Sequence, residues 1–212
     1  MSGLRQLLMD ERAVTRAVAR MARELVERNS GVERLSLVGI HRRGVQLADL
    51  VASEIERAEG TRPPQGTLDI TLYRDDLMAI GPRPVVGETR LPAGGVDGRA
   101  VVIVDDVLYT GRTARAALDE LADFGRPSRI YLCVLVDRGG RELPIQPDVV
   151  GKVVDAGEDE RVDVLVPEID GQLSVELVDR TAPHGHNPPG GRASGRGDTA
   201  SGGSVSTEGG AG

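Results

Sequence analysis

The chain has 212 residues, of which 39% are hydrophobic, and this is enough for one packed core of ordinary size. Its formal net charge of −7 argues against non-specific coating of nucleic acid, although a local basic patch is compatible with it. No apolar run approaches the roughly 18 residues of a membrane span, and the first residues lack the pattern of a secretory signal. The single cysteine, Cys133, permits no intrachain disulfide, so we expect a protein of the reducing cytoplasm.

The first third of the chain alternates between helix and strand patterns. Residues 11–28 place apolar side chains at helical spacing after Asp10, a suitable N-cap, and predict a helix. The apolar run 35–39 predicts a buried strand. A second helical pattern follows over 47–55.

The middle of the chain continues the alternation after a long break. Residues 68–72 alternate as a strand, and the glycines, prolines and acids that follow predict a mobile loop over about 74–98. Buried strands are predicted at 100–104 and 130–136, with a helix at 112–124 between them. Buried strands that alternate with helices predict an α/β fold with a mainly parallel sheet.

The C-terminal part changes character twice. Residues 148–178 carry three short strand patterns, the last two joined near Asp170 and Gly171, a hairpin signal. The last 31 residues hold 10 of the 28 glycines and almost no large apolar side chain, so burial cannot offset the cost of ordering them. We therefore expect one domain over 1–181, with a small C-terminal β subdomain, and a disordered tail over 182–212.

The most informative pattern lies in residues 101–113. An apolar strand runs directly into Asp105 and Asp106, and a turn with Thr110 and Gly111 then opens a helix. Ligands of open α/β sheets bind at the carboxyl ends of strands, and backbone N–H groups at a helix N-terminus hold anions. The two acids would repel a phosphate, but they suit sugar hydroxyls or a divalent cation. The segment therefore predicts a sugar-phosphate site, with the 5′-phosphate at the helix end and the ribose at the strand end.

Other interpretations of this segment fit less well. A P-loop needs Gly-Lys-Ser/Thr, and no lysine precedes Lys152. The Gly-x-Gly-x-x-Gly pattern of dinucleotide sites is absent here, and a phospho-acceptor domain does not continue its paired acids with Thr-Gly-x-Thr. A purely structural acidic strand end followed by a capped helix leaves two adjacent acids in need of a partner.

Four segments, taken together and in this order, resemble the PyrR family of pyrimidine-operon regulators within the type I phosphoribosyltransferases. They are Leu37–Gly44, Leu68–Asp76, Asp105–Thr113 and Val134–Ile145, and the resemblance covers roughly residues 5–178. It implies a three-layer α/β domain with two activities. One is uracil phosphoribosyltransferase activity, which converts uracil and phosphoribosyl diphosphate (PRPP) into UMP and diphosphate, with Mg²⁺ as the cofactor that accompanies PRPP. The other is binding of the pyrimidine-operon mRNA leader in response to UMP or UTP, and a homo-oligomer, a dimer or larger, is also implied.

The resemblance also assigns candidate site residues. The catalytic group would be Asp105 and Asp106 together with Arg74 and Asp75, which stand at the start of the loop that closes over PRPP. Binding of PRPP and nucleotide would fall to Arg42, Arg43, Asp105, Asp106, Val107, Leu108, Tyr109, Thr110, Gly111, Arg112, Thr113, Arg138 and Val162. Arg42 stands where the family commonly has threonine. No set of the chain's own residues is assigned to a metal.

The resemblance to RNA-binding members is less complete. The candidate RNA contacts are Arg16, Arg20, Arg23, Arg141 and Lys152. The first three form one helical stripe, for which a solvated mixed-charge face is an equal alternative. Because neither Arg20 nor Arg141 lies in residues 101–113, which we call the phosphate segment, replacing both is expected to abolish leader binding and spare UMP synthesis.

Two family positions differ in the same region, since a common histidine is Gly140 and a common arginine is Gln146. These departures leave two alternatives open, a salvage phosphoribosyltransferase without RNA regulation and a catalytically silent nucleotide sensor. Base specificity and the mode of regulation are also open.

Overall fold

The structure is a computed structural model that describes residues 5–73 and 88–179. Its elements are β1 (Arg5–Met9), α1 (Glu11–Asn29), β2 (Leu35–Ile40), α2 (Arg43–Glu59), β3 (Gln65–Leu68), a 3-10 helix (Ile70–Tyr73), β4 (Ala100–Leu108), α3 (Arg112–Phe124), β5 (Arg129–Asp137), β6 (Val149–Val153), β7 (Glu160–Leu165), α4 (Pro167–Asp170) and β8 (Ser174–Asp179). The three long helices and the strands β2, β4 and β5 were all predicted from the hydrophobic pattern, and they are confirmed.

A five-stranded parallel sheet forms the centre of the domain, in the order β3-β2-β4-β5-β6. Successive side chains of β4 point to opposite faces, as the pleat requires. Val102 and Val104 pack with residues of α1 and α2, whereas Val101 and Ile103 pack with residues of α3. Helices therefore cover both faces of the sheet, and the predicted three-layer α/β domain is confirmed.

A smaller antiparallel sheet has the order β1-β8-β7. The expected C-terminal β subdomain is correct for β7 and β8, but the sequence did not indicate that β1 completes the sheet, and β6 joins the parallel sheet instead. The predicted hairpin link is wrong in detail, because the short helix α4 connects the two strands. Pro167 at the first position favours the start of this helix, and Gly171 ends it with a φ of 74°.

Two strand boundaries differ from their predicted positions. The strand predicted over 68–72 ends at Leu68, because the side chain of Asp69 accepts a hydrogen bond from Thr71 N at 2.9 Å and turns the chain into the 3-10 helix. Conversely, β4 does not stop at Val104. It continues through both acids and pairs with β5 as far as Leu108.

Part of the predicted mobile loop can be compared with the structure. Residues 74–87 lie outside the described residues, and so does the predicted tail. In the part of the loop that follows, Arg90 exchanges two backbone hydrogen bonds with Thr67, at 2.8 and 2.9 Å, and Val96 is buried. The end of the loop is therefore fastened to β3. No helix within the two described ranges is long and apolar enough to cross a membrane.

Candidate active site

A cleft of about 610 Å³ opens at the carboxyl ends of β2, β3 and β4. Parallel pairing brings these strand ends to the same edge of the sheet. The residues that line the cleft are Ile40, His41, Arg42, Asp69, Ile70, Thr71, Asp105, Asp106, Val107 and Thr113. The structure thus brings together Arg42, the acid pair and Thr113, as the sequence predicted.

The acid pair lies in the wall of the cleft, with Asp105 buried and Asp106 half-buried. Asp105 is 8% exposed, and one of its carboxylate oxygens accepts a hydrogen bond from Asp106 N at 3.0 Å. Burial, reinforced by the charge of Asp106, raises the pKa of Asp105 well above its usual range. Burial also raises the pKa of Asp106, while hydrogen bonding from Val107 N and the charge of Arg43 oppose that shift. Two carboxylates held this way favour a cation or hydroxyl donors as partners.

The N-termini of α2 and α3 lie on either side of the acid pair. The residues that precede them, Arg42 and Gly111, form no side-chain capping bond within the described part of the chain. Gly111 adopts a φ of 93°, which favours glycine. A Cβ on Gly44 would lie 2.5 Å from the carbonyl oxygen of Val104, so α2 begins directly against β4. At α3, Arg112 N donates to the Thr110 hydroxyl at 3.3 Å, and the other N–H groups at these two helix starts are suited to bind anions.

The neighbouring arginines Arg42 and Arg43 have different surroundings. Arg42 is exposed and lines the cleft, after a cis peptide bond from His41. Arg43 instead donates two hydrogen bonds to the carboxylate of Asp170, at 2.9 and 3.1 Å. Burial alone would raise the pKa of Asp170, but the hydrogen bonds from Arg43 and from Val166 N hold that pKa below its usual value.

The segment after the acid pair is supported by residues 138–145, which we call the buttress turn. Thr110 O accepts backbone hydrogen bonds from Glu142 and Leu143 at 3.0 and 3.1 Å, and Arg112 forms an ion pair with Glu142 at 2.7 Å. Leu108 is buried in the core, and its carbonyl oxygen accepts a hydrogen bond from Arg138 N, at the start of the buttress turn, at 3.1 Å. The phosphate segment and the buttress turn are therefore joined along their length.

Arg138 and Val162, both predicted to contact the nucleotide, are largely buried. The Arg138 guanidinium donates to the carbonyls of Gly157 and Glu160, at 3.0 and 2.8 Å, and lies 4.0 Å from the ring centroid of Tyr109. Arg138 also borders a second depression of about 410 Å³. The side chain of Val162 packs in the core.

The candidate RNA contacts fall into two groups. Arg16, Arg23 and Lys152 are exposed. Arg20 donates to the carbonyls of Val150 and Gly151, at 2.9 and 2.6 Å, and so brings the α1 stripe next to the strand that carries Lys152. Arg141 differs from all of these, because its side chain is only 13% exposed.

The predicted and observed site residues differ in two respects. Arg74 and Asp75 lie outside the described residues. Sequence reasoning missed Asp69, although an acid between Leu68 and Ile70 is a detectable signal. It also missed Asp170, which the sequence pattern indicated only as part of a turn.

A buried carboxyl group that does not line the cleft was missed as well. Glu120 is 3% exposed, accepts a hydrogen bond from the Thr89 hydroxyl and has a pKa raised by burial. This hydrogen bond links α3 to the end of the loop that follows the 3-10 helix.

Comparisons with known proteins agree with this geometry. The family model for the phosphoribosyl transferase domain matches residues 7–163. Solved hypoxanthine phosphoribosyltransferases share the fold. The one from Trypanosoma cruzi has a TM-score of 0.62 and 16% identity over 82% of this chain and 96% of its own. The one from Staphylococcus aureus has a TM-score of 0.61 and 19% identity over 82% and 92%. Fold and cleft together define a protein of the phosphoribosyltransferase class.

Relatives of higher identity narrow the class to one family. Each is named "Bifunctional protein PyrR". The protein from Thermus thermophilus is 59% identical over 173 residues, 82% of this chain and 95% of its own length. Those from Herpetosiphon aurantiacus and Clostridioides difficile are 58% and 54% identical, over 81% and 80% of this chain and 96% of their own lengths. The chain belongs to the PyrR family.

Proposed function

We propose that the chain transfers the phosphoribosyl group of PRPP to uracil and forms UMP and diphosphate. The observation that carries this proposal is that Asp105 and Asp106 line one cleft together with Arg42 and Thr113, which stand at the starts of α2 and α3. PRPP carries anionic groups at both ends and ribose hydroxyls between them. The start of α3 suits the 5′-phosphate, the start of α2 with Arg42 suits the diphosphate, and the acids suit the hydroxyls.

The reaction places demands that these residues meet. The bond from C1′ to the diphosphate oxygen breaks while uracil N1 bonds to C1′, and the N1 proton leaves to the diphosphate or to water. Positive charge develops on the ribosyl centre, and the two carboxylates stabilise it electrostatically. No nucleophilic side chain is required. Accordingly Cys133, whose thiol pKa burial raises above its usual value, takes no part in this scheme.

The residues of the cleft fit the proposed Mg²⁺ cofactor. Within the described ranges no group of three or more His, Cys, Asp or Glu side chains could hold a metal by itself. Asp105 and Asp106 would therefore share the ion with oxygens of PRPP, an arrangement that is common for Mg²⁺. The bound ion would supply positive charge that neutralises the departing diphosphate.

The acid pair provides the direct test. Replacing both residues, Asp105→Asn with Asp106→Asn, should lower the rate of UMP formation from labelled uracil and PRPP at least about 100-fold, because both charges beside the ribosyl centre are removed. The control is Asp119→Asn, which removes an exposed carboxylate from the outer side of α3 and should keep wild-type turnover. Wild-type turnover in the double variant would refute this site.

We also propose that the protein binds the pyrimidine-operon mRNA leader when it holds UMP. Support comes from the exposed residues Arg16, Arg23 and Lys152, which the Arg20 contact with β6 draws toward one side of the domain. Such a small basic surface on an acidic protein should bind RNA in a strongly salt-dependent way. The expected homo-oligomer stays a prediction that sedimentation can test.

Leader binding can be measured by titration with and without UMP. Replacing Arg16, Arg23 and Lys152 with alanine should weaken binding at least about tenfold and reduce the salt slope by about one for each RNA phosphate that is no longer neutralised. Arg57→Ala removes an exposed arginine from the last turn of α2 and is the control. If scrambled RNA binds as tightly as the leader, the protein is a salvage enzyme without RNA regulation.

A further inference from the structure

Arg141 directs its guanidinium group into the protein. It forms an ion pair with Asp137 at 2.7 Å and donates to the carbonyl of Ile145 at 3.0 Å. Another nitrogen donates to the carbonyls of Tyr109 and Gly139, at 2.9 and 3.1 Å. All three guanidinium nitrogens therefore have partners within the fold, which does not favour direct contact with RNA phosphates.

The bond to Tyr109 matters most, because Tyr109 belongs to the phosphate segment and Arg141 belongs to the buttress turn. Arg138 covers the ring of the same tyrosine at 4.0 Å. A Cβ on Gly140 would lie 2.4 Å from a ring carbon of Tyr109, and the φ of Gly140 is 69°. The buttress turn is thus shaped to receive Tyr109, and any side chain at position 140 would displace the ring or the turn.

We propose that Arg141 is a positioning residue for the PRPP site, an inference that rests on the proposed phosphoribosyl transfer. Arg141 fixes the backbone at Tyr109. This residue directly precedes the turn of Thr110 and Gly111 that leads into α3. Without it the carboxylate of Asp137, whose side chain is 15% exposed, has no cation opposite it, and three carbonyls have one donor fewer. The phosphate segment would relax, and its backbone N–H groups would no longer be held in the arrangement that suits a phosphate.

The effect should fall on substrate binding more than on chemistry. Arg141 acts on the part of the loop expected to hold the 5′-phosphate, which is bound in the ground state and the transition state alike. Loss of such uniform binding raises KM and leaves kcat nearly unchanged. We expect Arg141→Ala to raise KM for PRPP at least about tenfold while kcat changes less than about threefold. This is opposite to the sequence-based expectation that Arg141 can be removed without affecting UMP synthesis.

The experiment compares Arg141→Ala, Arg141→Lys and Arg99→Ala. Lysine keeps the charge opposite Asp137 but lacks the planar fork that reaches several carbonyls, so its KM for PRPP should be intermediate. Arg99 donates to the Ser36 hydroxyl and the Leu35 carbonyl at the amino end of β4, and its removal should lower stability without changing KM.

Five outcomes decide between the possibilities. A graded rise in KM for PRPP in the two Arg141 variants, absent in Arg99→Ala, supports the proposal. An unchanged KM in a folded Arg141 variant overturns it, and so does an equal rise in Arg99→Ala. If alanine prevents folding, the lysine variant decides. If the wild-type protein makes no UMP, the proposed function fails, and calorimetric binding of PRPP to the same variants tests the positioning role separately.

Discussion

The N-terminus of α1 and those of α2 and α3 are built in opposite ways. Asp10 caps α1 by accepting a hydrogen bond from Ala13 N at 2.7 Å, and Glu11 adds a negative charge in the first turn. The other two helices begin with arginine, at Arg43 and Arg112, and carry no acid in the first turn. Because a helix N-terminus is the positive end of the helix dipole, an acid there is favourable and a cation is unfavourable.

This difference separates a helix that local residues stabilise at its N-terminus from two helices whose N-termini are suited to bind a ligand. α1 satisfies its own N-terminus with residues next to it in sequence. Each of the other two arginines is paired with an acid from elsewhere, Arg43 with Asp170 and Arg112 with Glu142. In the proposed function the anionic groups of PRPP would bind at these two helix starts, whereas α1 is already capped by Asp10.

Removing the α1 cap gives the larger expected effect on stability. Asp10→Ala should lower the free energy of unfolding by about 1 kcal/mol, because it leaves a first-turn N–H without its acceptor. Urea unfolding followed by circular dichroism measures the decrease. The decrease should be the same with and without diphosphate, since α1 contributes no residue to the cleft. A decrease that disappears when diphosphate is present would contradict the contrast between the helices.

The pair of Arg43 and Asp170 should give a smaller, pH-dependent effect. The folded pKa of Asp170 lies below its ordinary value, so the pair contributes stability that is fully present above the unfolded pKa of about 3.9. That contribution is lost as the pH falls through the folded pKa. Asp170→Asn should therefore cost at most about 1 kcal/mol at pH 7, because the pair is partly exposed and screened by solvent.

Urea unfolding at several pH values measures this dependence. The difference between the wild type and Asp170→Asn should shrink below about pH 4. Glu142→Gln, which removes the partner of Arg112 from a pair about half exposed, should show a smaller difference at pH 7. A difference for Asp170→Asn that stays constant down to pH 2 would mean that the carboxylate charge is not what stabilises the pair.

Local patterns in the sequence were enough to predict much of the fold and the centre of the site. The 3.6-residue period indicated the three long helices, and the two acids that follow the apolar run of β4 marked the candidate cleft. What could not be predicted depends on distant contacts, such as that between Arg43 and Asp170, which are 127 positions apart. Arg141 likewise looked like a surface cation, because its carbonyl partners leave no trace in residue identity. The 3-10 helix after β3 depends on one side-chain bond of Asp69 that competes with the strand pattern.

The pairing of β1 with β8 has a consequence for the order in which the domain is completed. Arg5 pairs with Val178, and its guanidinium bonds to Glu176, 171 positions later in the chain. During synthesis residues 5–9 are made long before their partner residues 174–179, while neighbouring strands of the parallel sheet can already pair. The three-stranded sheet can therefore close only after the strands of the parallel sheet have been made, and the same holds for α4, which carries the partner of Arg43.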